Sequence, residues 1–352
     1  MTASGEAVGL AARPYAPSWV DRLLDGIDRL PAPTWVIYPA LMIPSVLVSH
    51  VAIWASGLAP VGQLTVQQTF WGIWTVGFLW LAHHLDGVAA RAFETFRPAI
   101  SPAAMNLDRA AYELTTIPAR PALILAGLAI VFTVAYYVAD PVASVVVGYA
   151  PLPLVGRTIV ESFATAIIMI IFYQGFRQLR AVARIHDAAD RVDPFHPTPL
   201  YAFSRLTAQT GLGLVSVVAL GYVGNPVPIE SPTFATLWLP WLVAFLVAGV
   251  AIFVLPLLGM HDRLVAAKAG LQRASEERLK SILGELHADV DDLSLARADG
   301  LNKLLASTLS EREILARLPT WPWSSGTLRG FVTAILLPLG LFLVQRVLSQ
   351  LI

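Results

Sequence analysis

Seven apolar stretches, each close to the length that crosses a bilayer, constrain this chain more than any other feature. They run over roughly 35–57, 67–86, 121–139, 156–176, 201–223, 234–258 and 327–352. A spanning helix needs about 20 mostly apolar residues. Within hydrocarbon the backbone must satisfy its own hydrogen bonds, so such stretches are read as helices. Prolines fall inside several of them (Pro39, Pro44, Pro240, Pro256, Pro338), which spanning helices tolerate when neighbours satisfy the freed carbonyl. Of the 352 residues, 56% are hydrophobic and 14% charged, against about 45–50% and about 25% in soluble domains. The expected fold class is therefore all-α, a polytopic membrane protein with seven transmembrane helices.

Positive charge orients them. All but Arg157 and Arg346 of the 24 lysines and arginines fall on one side of the alternating segments. Cytoplasmic loops carry that excess, so the N-terminus is expected in the cytoplasm and the C-terminus outside. The outer loops (58–66, 140–155, 224–233) are short and rich in Gly and Pro, whereas the inner segments are long and helical in pattern. Four regions follow. Residues 1–34 form a cytoplasmic tail and 35–258 a six-helix bundle. Residues 259–325 form a cytoplasmic helical module, and 326–352 the seventh transmembrane helix.

Local signals refine the inner segments. Ser18 to Leu30 is amphipathic at helical spacing. It reads either as an interfacial helix or as a helix lying on the protein surface. Ser101-Pro102 and Thr198-Pro199 read as helix starts, and Ser310 to Glu313 as a capping box for a short helix before Trp321. Leucines at helical spacing over 259–309 predict one or two amphipathic helices, broken near Asp291 or Gly300. Spans four, five and six are expected to continue into the cytoplasm as one helical layer.

The chain has no cysteine, which excludes disulfides, thiolate chemistry, iron–sulfur clusters and cysteine zinc sites. Net charge is zero, so nucleic acid is not an expected partner. The first residues lack a continuous apolar core, so no cleavable signal peptide is expected. No phosphate loop, HExxH, nucleophile elbow or kinase set is present. An enzyme, a cofactor and a metal are not expected.

Ionisable groups within spans are costly and so are candidates for function. His50 and Glu161 fall toward the outer ends of spans one and four, and His83, His84 and Asp86 at the inner end of span two. On a helix His83 and His84 point about 100° apart and do not readily share a metal. Aromatics gather on the outer side, among them Trp71, Trp74, Tyr136, Tyr137 and Trp238. They form either an interfacial belt or, with His50 and Glu161, an apolar small-molecule pocket with few polar groups. The last span is nearly free of polar atoms apart from its ends. In an oligomer it would line a pore whose apolar middle resists ions until it widens and wets; in a monomer it simply packs.

This plan resembles the seven-transmembrane ion channel superfamily that includes insect odorant and gustatory receptors, with distant relatives thought to extend to prokaryotes. The residues that carry the likeness are LFLVQR, Leu341 to Arg346. The insect motif has Phe where this chain has Arg346, and its opening Thr-Tyr is absent. The resemblance implies a homo-tetramer in a prokaryotic inner membrane. It also implies a gate at Phe342 with Leu337 and Leu341, a selectivity constriction at Gln345, and a ligand pocket in the outer half among His50, Trp71, Trp74, Tyr136, Tyr137, Glu161 and Trp238. Two other readings stand beside a ligand-gated channel. One is a monomeric or dimeric transporter or membrane enzyme using His50 and Glu161. The other is a signalling or scaffold protein whose 259–325 module binds a partner.

Overall fold

The computed structural model describes residues 14–139, 147–224, 239–291 and 297–336. Among them the chain is all-helical, with a single isolated bridge (Pro17 to Pro118) in place of any strand. Four helices are long and apolar enough to cross a membrane: Thr34–Ala55, Ala119–Ala139, Pro151–Asp187 and Val243–Asp291. Each predicted apolar stretch falls on a helix over its described residues.

The first helix, α1 (Trp19–Asp28), begins at a capping box in which Ser18 and Asp21 bond each other's backbone N–H. Its apolar residues Val20, Leu24 and Ile27 are buried against Ile37, Tyr38, Leu79, Ile117 and Ile170. The amphipathic face is thus spent on the protein itself, which favours the surface-helix reading. Two backbone bonds, Ser18 N to Ile117 O and Ala119 N to Ala16 O, staple the preceding strand-like residues to the 117–119 turn.

Helices α2 (Thr34–Ala55) and α3 (Val66–Phe96) cross closely. A Cβ on Gly72 would lie 2.5 Å from Val46 Cα, so only glycine permits the approach. Ser45 Oγ donates to Gly72 O at 2.9 Å and Ser49 Oγ sits 2.6 Å from Gln68 O, which fixes the register of the pair. α3 is less apolar than α2 because it carries Gln67, Gln68, His83, His84 and Asp86. It packs on α2, on α6 (Pro151–Asp187) and on α8 (Ala202–Gly224), after the short α4 (Leu107–Thr115), α5 (Ala119–Ala139) and the single turn α7 (Pro197–Leu200). α9 (Leu239–Val254) packs on α8 through a second close crossing, where a Cβ on Gly211 would meet Gly249 O at 2.5 Å. Small residues that let backbones approach are the usual glue between membrane helices.

α5 leaves Leu123, Ile124, Val131 and Val138 at least 63% exposed. Apolar surface on that scale marks a membrane or partner face. A second buried cluster joins α4 to the bundle, with Phe96, Leu114, Ile185, Phe203, Leu257 and Met260 buried together.

After α9 a single 3-10 turn at Leu255–Leu257 leads straight into α10 (Leu258–Asp291). The 49 residues Val243–Asp291 extend about 74 Å at 1.5 Å per residue, more than twice the roughly 30 Å hydrocarbon thickness. α10 therefore leaves any bilayer that α9 occupies. α11 (Ala298–Ala316) returns alongside it, joined by the Arg278–Glu311 ion pair and by Lys268 donating to Ala316 O and Leu318 O. Of the two break positions expected, Gly300 lies inside α11, and the residues that follow Asp291, 292–296, lie outside the described residues.

Three local expectations are corrected. Ser101-Pro102 opens a turn, and the Ser101 N–H is held by Asp190 Oδ1 at 2.8 Å. The helix begins later, at Leu107, where Asn106 caps it by accepting from Arg109 N–H. Ser310 lies inside α11 and starts no helix; Glu311 and Glu313 are engaged by Arg278 and Arg317 instead. Thr198-Pro199 falls inside the turn α7, whose first residue is Pro197, and α8 starts at Ala202.

Candidate functional site

A buried charged group lies between α5 and α6. Arg157 and Glu161, one helical turn apart on α6, are 3% and 6% exposed. Arg157 Nε donates to Glu161 Oε1 at 2.7 Å, and the Tyr137 hydroxyl of α5 donates to Oε2 at 2.6 Å. The guanidinium lies 5.5 Å from the Tyr137 ring centroid and 4.9 Å from that of Tyr149. Spacing i, i+4 places the two charges on one face of the helix, and burial makes each depend on the other. Both Glu161 oxygens thus have protein donors.

His50 is fully buried at the far end of α2. Its Nε2 lies 3.0 Å from the Thr65 N–H, which can only donate, so Nε2 accepts. The ring proton then sits on Nδ1 and is given to Val46 O at 2.7 Å. The imidazole is neutral and fully engaged, and it caps the start of α3, since Thr65 precedes Val66. Trp54 packs over its ring at 5.4 Å and bonds Gln63 O.

Of the predicted pocket residues, Tyr137 and Glu161 are joined directly. Tyr136 lies beside Tyr137 with ring centroids 6.5 Å apart. Trp71 and Trp74 meet edge-on at 5.8 Å within an aromatic column that adds Phe70 and Phe78. His50 is held by Val46 and Thr65, whereas Glu161 is held by Tyr137 and Arg157. Trp238 and the four pore positions Leu337, Leu341, Phe342 and Gln345 lie outside the described residues.

An apolar cavity of about 220 Å³ sits elsewhere, between α3, α6 and α8, lined by Phe78, Leu81, Ile168, Phe172, Thr210 and Leu214 among others. Sequence reasoning did not reach it, because apolar residues facing one another across three helices leave no mark on any one of them.

At the basic end His83 and His84 diverge as helix geometry requires. His83 Nε2 faces Asp28 Oδ1 at 3.1 Å and its Nδ1 lies 2.8 Å from the Tyr38 hydroxyl. His84 Nε2 donates to Gln209 Oε1 on α8 at 3.1 Å and stacks on Trp80. Asp86 accepts from Gln178 at 2.7 Å. Asp21, Asp25, Asp28, His83 and Asp86 border a cleft of about 320 Å³. Burial raises the Asp21 carboxyl despite the bonds it takes from Ser18 and Ile117. Burial also pushes Glu113 up, but Arg109 and Arg184 together hold it below the usual glutamate range. Among the described residues no three His, Asp or Glu side chains are placed to hold a metal.

The last described helix, α12 (325–336), is tied to the long arm by aromatic rings. His261 stacks on Trp321 at 3.9 Å, Trp321 on Trp323 at 4.4 Å, Trp323 on Phe253 at 5.2 Å, and Phe253 meets Phe331 at 4.3 Å. His261 Nδ1 also donates to Thr320 O. Phe331 and Ile335 are buried, whereas Val332 and Leu336 on the same helix are exposed.

Fold and site define an all-helical protein with helices fit to span a membrane and an engaged ion pair inside the bundle. No protein-family model, curated protein or solved structure matches the chain.

Proposed function

We propose that the chain crosses the membrane seven times, N-terminus inside and C-terminus outside, as a homo-oligomeric channel or channel-like receptor whose last helix lines the pore. The aromatic chain from His261 to Phe331 carries this reading. It couples the long basic-end arm, suited to holding subunits together, to the helix that would gate. Exposed Val332 and Leu336 on α12, and exposed Leu304, Leu309 and Ile314 on α11, offer apolar surface to neighbouring copies. In this mechanism a shift of α10 relative to the bundle moves α12 through its rings. The apolar pore then widens and wets, and a ligand among the outer aromatics biases that equilibrium.

The test is ion flux and single-channel recording from purified protein in liposomes, beside oligomeric state in mild detergent. Phe342→Ala is expected to raise the leak, and Trp321→Ala to change open probability while the oligomer persists. A strict monomer without conductance overturns the reading.

The buried Arg157–Glu161–Tyr137 group supports a second reading, a transporter with Glu161 in a proton path. Proton-coupled uptake lost in Glu161→Gln would favour it. The two protein donors on Glu161 weigh the other way, because a proton carrier must shed one partner in each cycle.

A further inference from the structure

A pocket of about 180 Å³ opens between α3 and α8 at the basic end, bordered by Arg91, Thr95, Ala202 and Arg205. Several arginines at that end are paired with carboxylates. Arg97, Arg109 and Arg184 each meet a glutamate, whereas neither the Arg91 nor the Arg205 guanidinium has a hydrogen-bond or ion-pair partner among the described residues. Two guanidinium groups bordering one pocket repel each other, and an anion between them removes that cost.

The same face of α3 continues away from the pocket. Trp80, His84, Val88, Arg91 and Thr95 recur every three or four residues, so they share one face of α3. On α8, Arg205 and Gln209 lie one turn apart, and Gln209 is the group that His84 bonds. Beyond that bond Trp80 remains 45% exposed, its ring stacked on His84. From Arg91 to Trp80 is eleven residues, about 16 Å along the helix, close to the depth of one hydrocarbon leaflet. The groove is thus cationic at the interface, hydrogen-bonded below it, and apolar and aromatic at acyl-chain depth.

We infer that this groove binds one anionic phospholipid, its phosphate between Arg91 and Arg205 and an acyl chain along Trp80. Arginine pairs a phosphate through two parallel N–H donors, and basic pockets between helices on the cytoplasmic side suit anionic headgroups. The inference rests on the proposed membrane placement and not on conduction.

Native mass spectrometry of the full chain in detergent, titrated with phosphatidylglycerol or phosphatidylcholine, tests it. Phosphatidylglycerol is expected to be retained preferentially with one tight site. Arg91→Gln with Arg205→Gln should weaken that site by about thirty-fold, at roughly a factor of five per charge near the surface. Arg273→Gln, on the exposed arm, should leave it unchanged. Equal retention of the two lipids, or no loss in the double variant, overturns the site. Displacement by 10 mM inorganic phosphate overturns the lipid assignment in favour of a soluble anion. Selective binding without flux leaves this site standing and overturns only the channel, and flux with non-selective lipid binding does the reverse.

Discussion

Replacing Glu161 by glutamine tests the reasoning most directly. The side chain keeps its shape and can still take the Tyr137 hydroxyl, but Arg157 is left charged, 3% exposed and without its carboxylate. Removing one partner of a buried pair costs about 3–5 kcal/mol. At 1.36 kcal/mol per decade that raises the unfolding constant by about 2.2 to 3.7 decades. Arg157→Leu should cost a similar amount for the mirror reason. The double variant Arg157→Leu with Glu161→Leu removes both charges and replaces them with apolar volume, so its stability should return close to that of the parent. With Glu161→Leu as the matching single, the three leucine variants close a cycle whose coupling energy isolates the pair. Reversible unfolding in mixed micelles, followed by circular dichroism, reads each corner. If Glu161→Gln costs less than about 1 kcal/mol, or the double variant costs the sum of the singles, the pair is not the strut described here.

Gly211→Ala should lose about 1–3 kcal/mol, because its new Cβ meets the Gly249 carbonyl, a backbone atom that cannot rotate away. Gly213→Ala should cost less, since its Cβ meets only the end of Leu81; thermal unfolding of the two side by side checks this. Ser18→Ala removes the cap of α1 and should lower stability by about 1 kcal/mol, with faster proteolysis at the N-terminal segment as the local readout. Glu113 is held below its ordinary value, so its contribution is full above the unfolded glutamate pKa and fades as pH falls through the lowered one. The acid limb of the melting curve should therefore be shallower in Glu113→Gln than in the parent.

The helices were legible because each apolar stretch has to satisfy its own backbone, and no other regular structure does that alone in hydrocarbon. The α1 face was legible at Val20, Leu24 and Ile27, although periodicity does not say whether lipid or protein covers it. The Arg157–Glu161 pair had a signal, an i, i+4 spacing of opposite charges. Arg157 was counted for orientation and Glu161 for a pocket, so their pairing went unread. Tyr137 as third member needed α5 packed on α6, which no local pattern encodes. Ser101 and Ser310 misled because cap residues are common in any polar segment. Only the hydrogen bond to Asp190 in the first case, and the continuation of α11 in the second, decide their state.

Pro256 sits in the one 3-10 turn between α9 and α10, with its carbonyl held by His186 Nδ1 at 3.0 Å. A turn there makes α10 a lever with its fulcrum at the rim of the bundle. The 34 residues from Leu258 to Asp291 reach about 51 Å. A swing of about 5° at Pro256 therefore carries the tip by about 4 Å, a distance comparable to the shifts through which packed helices switch state.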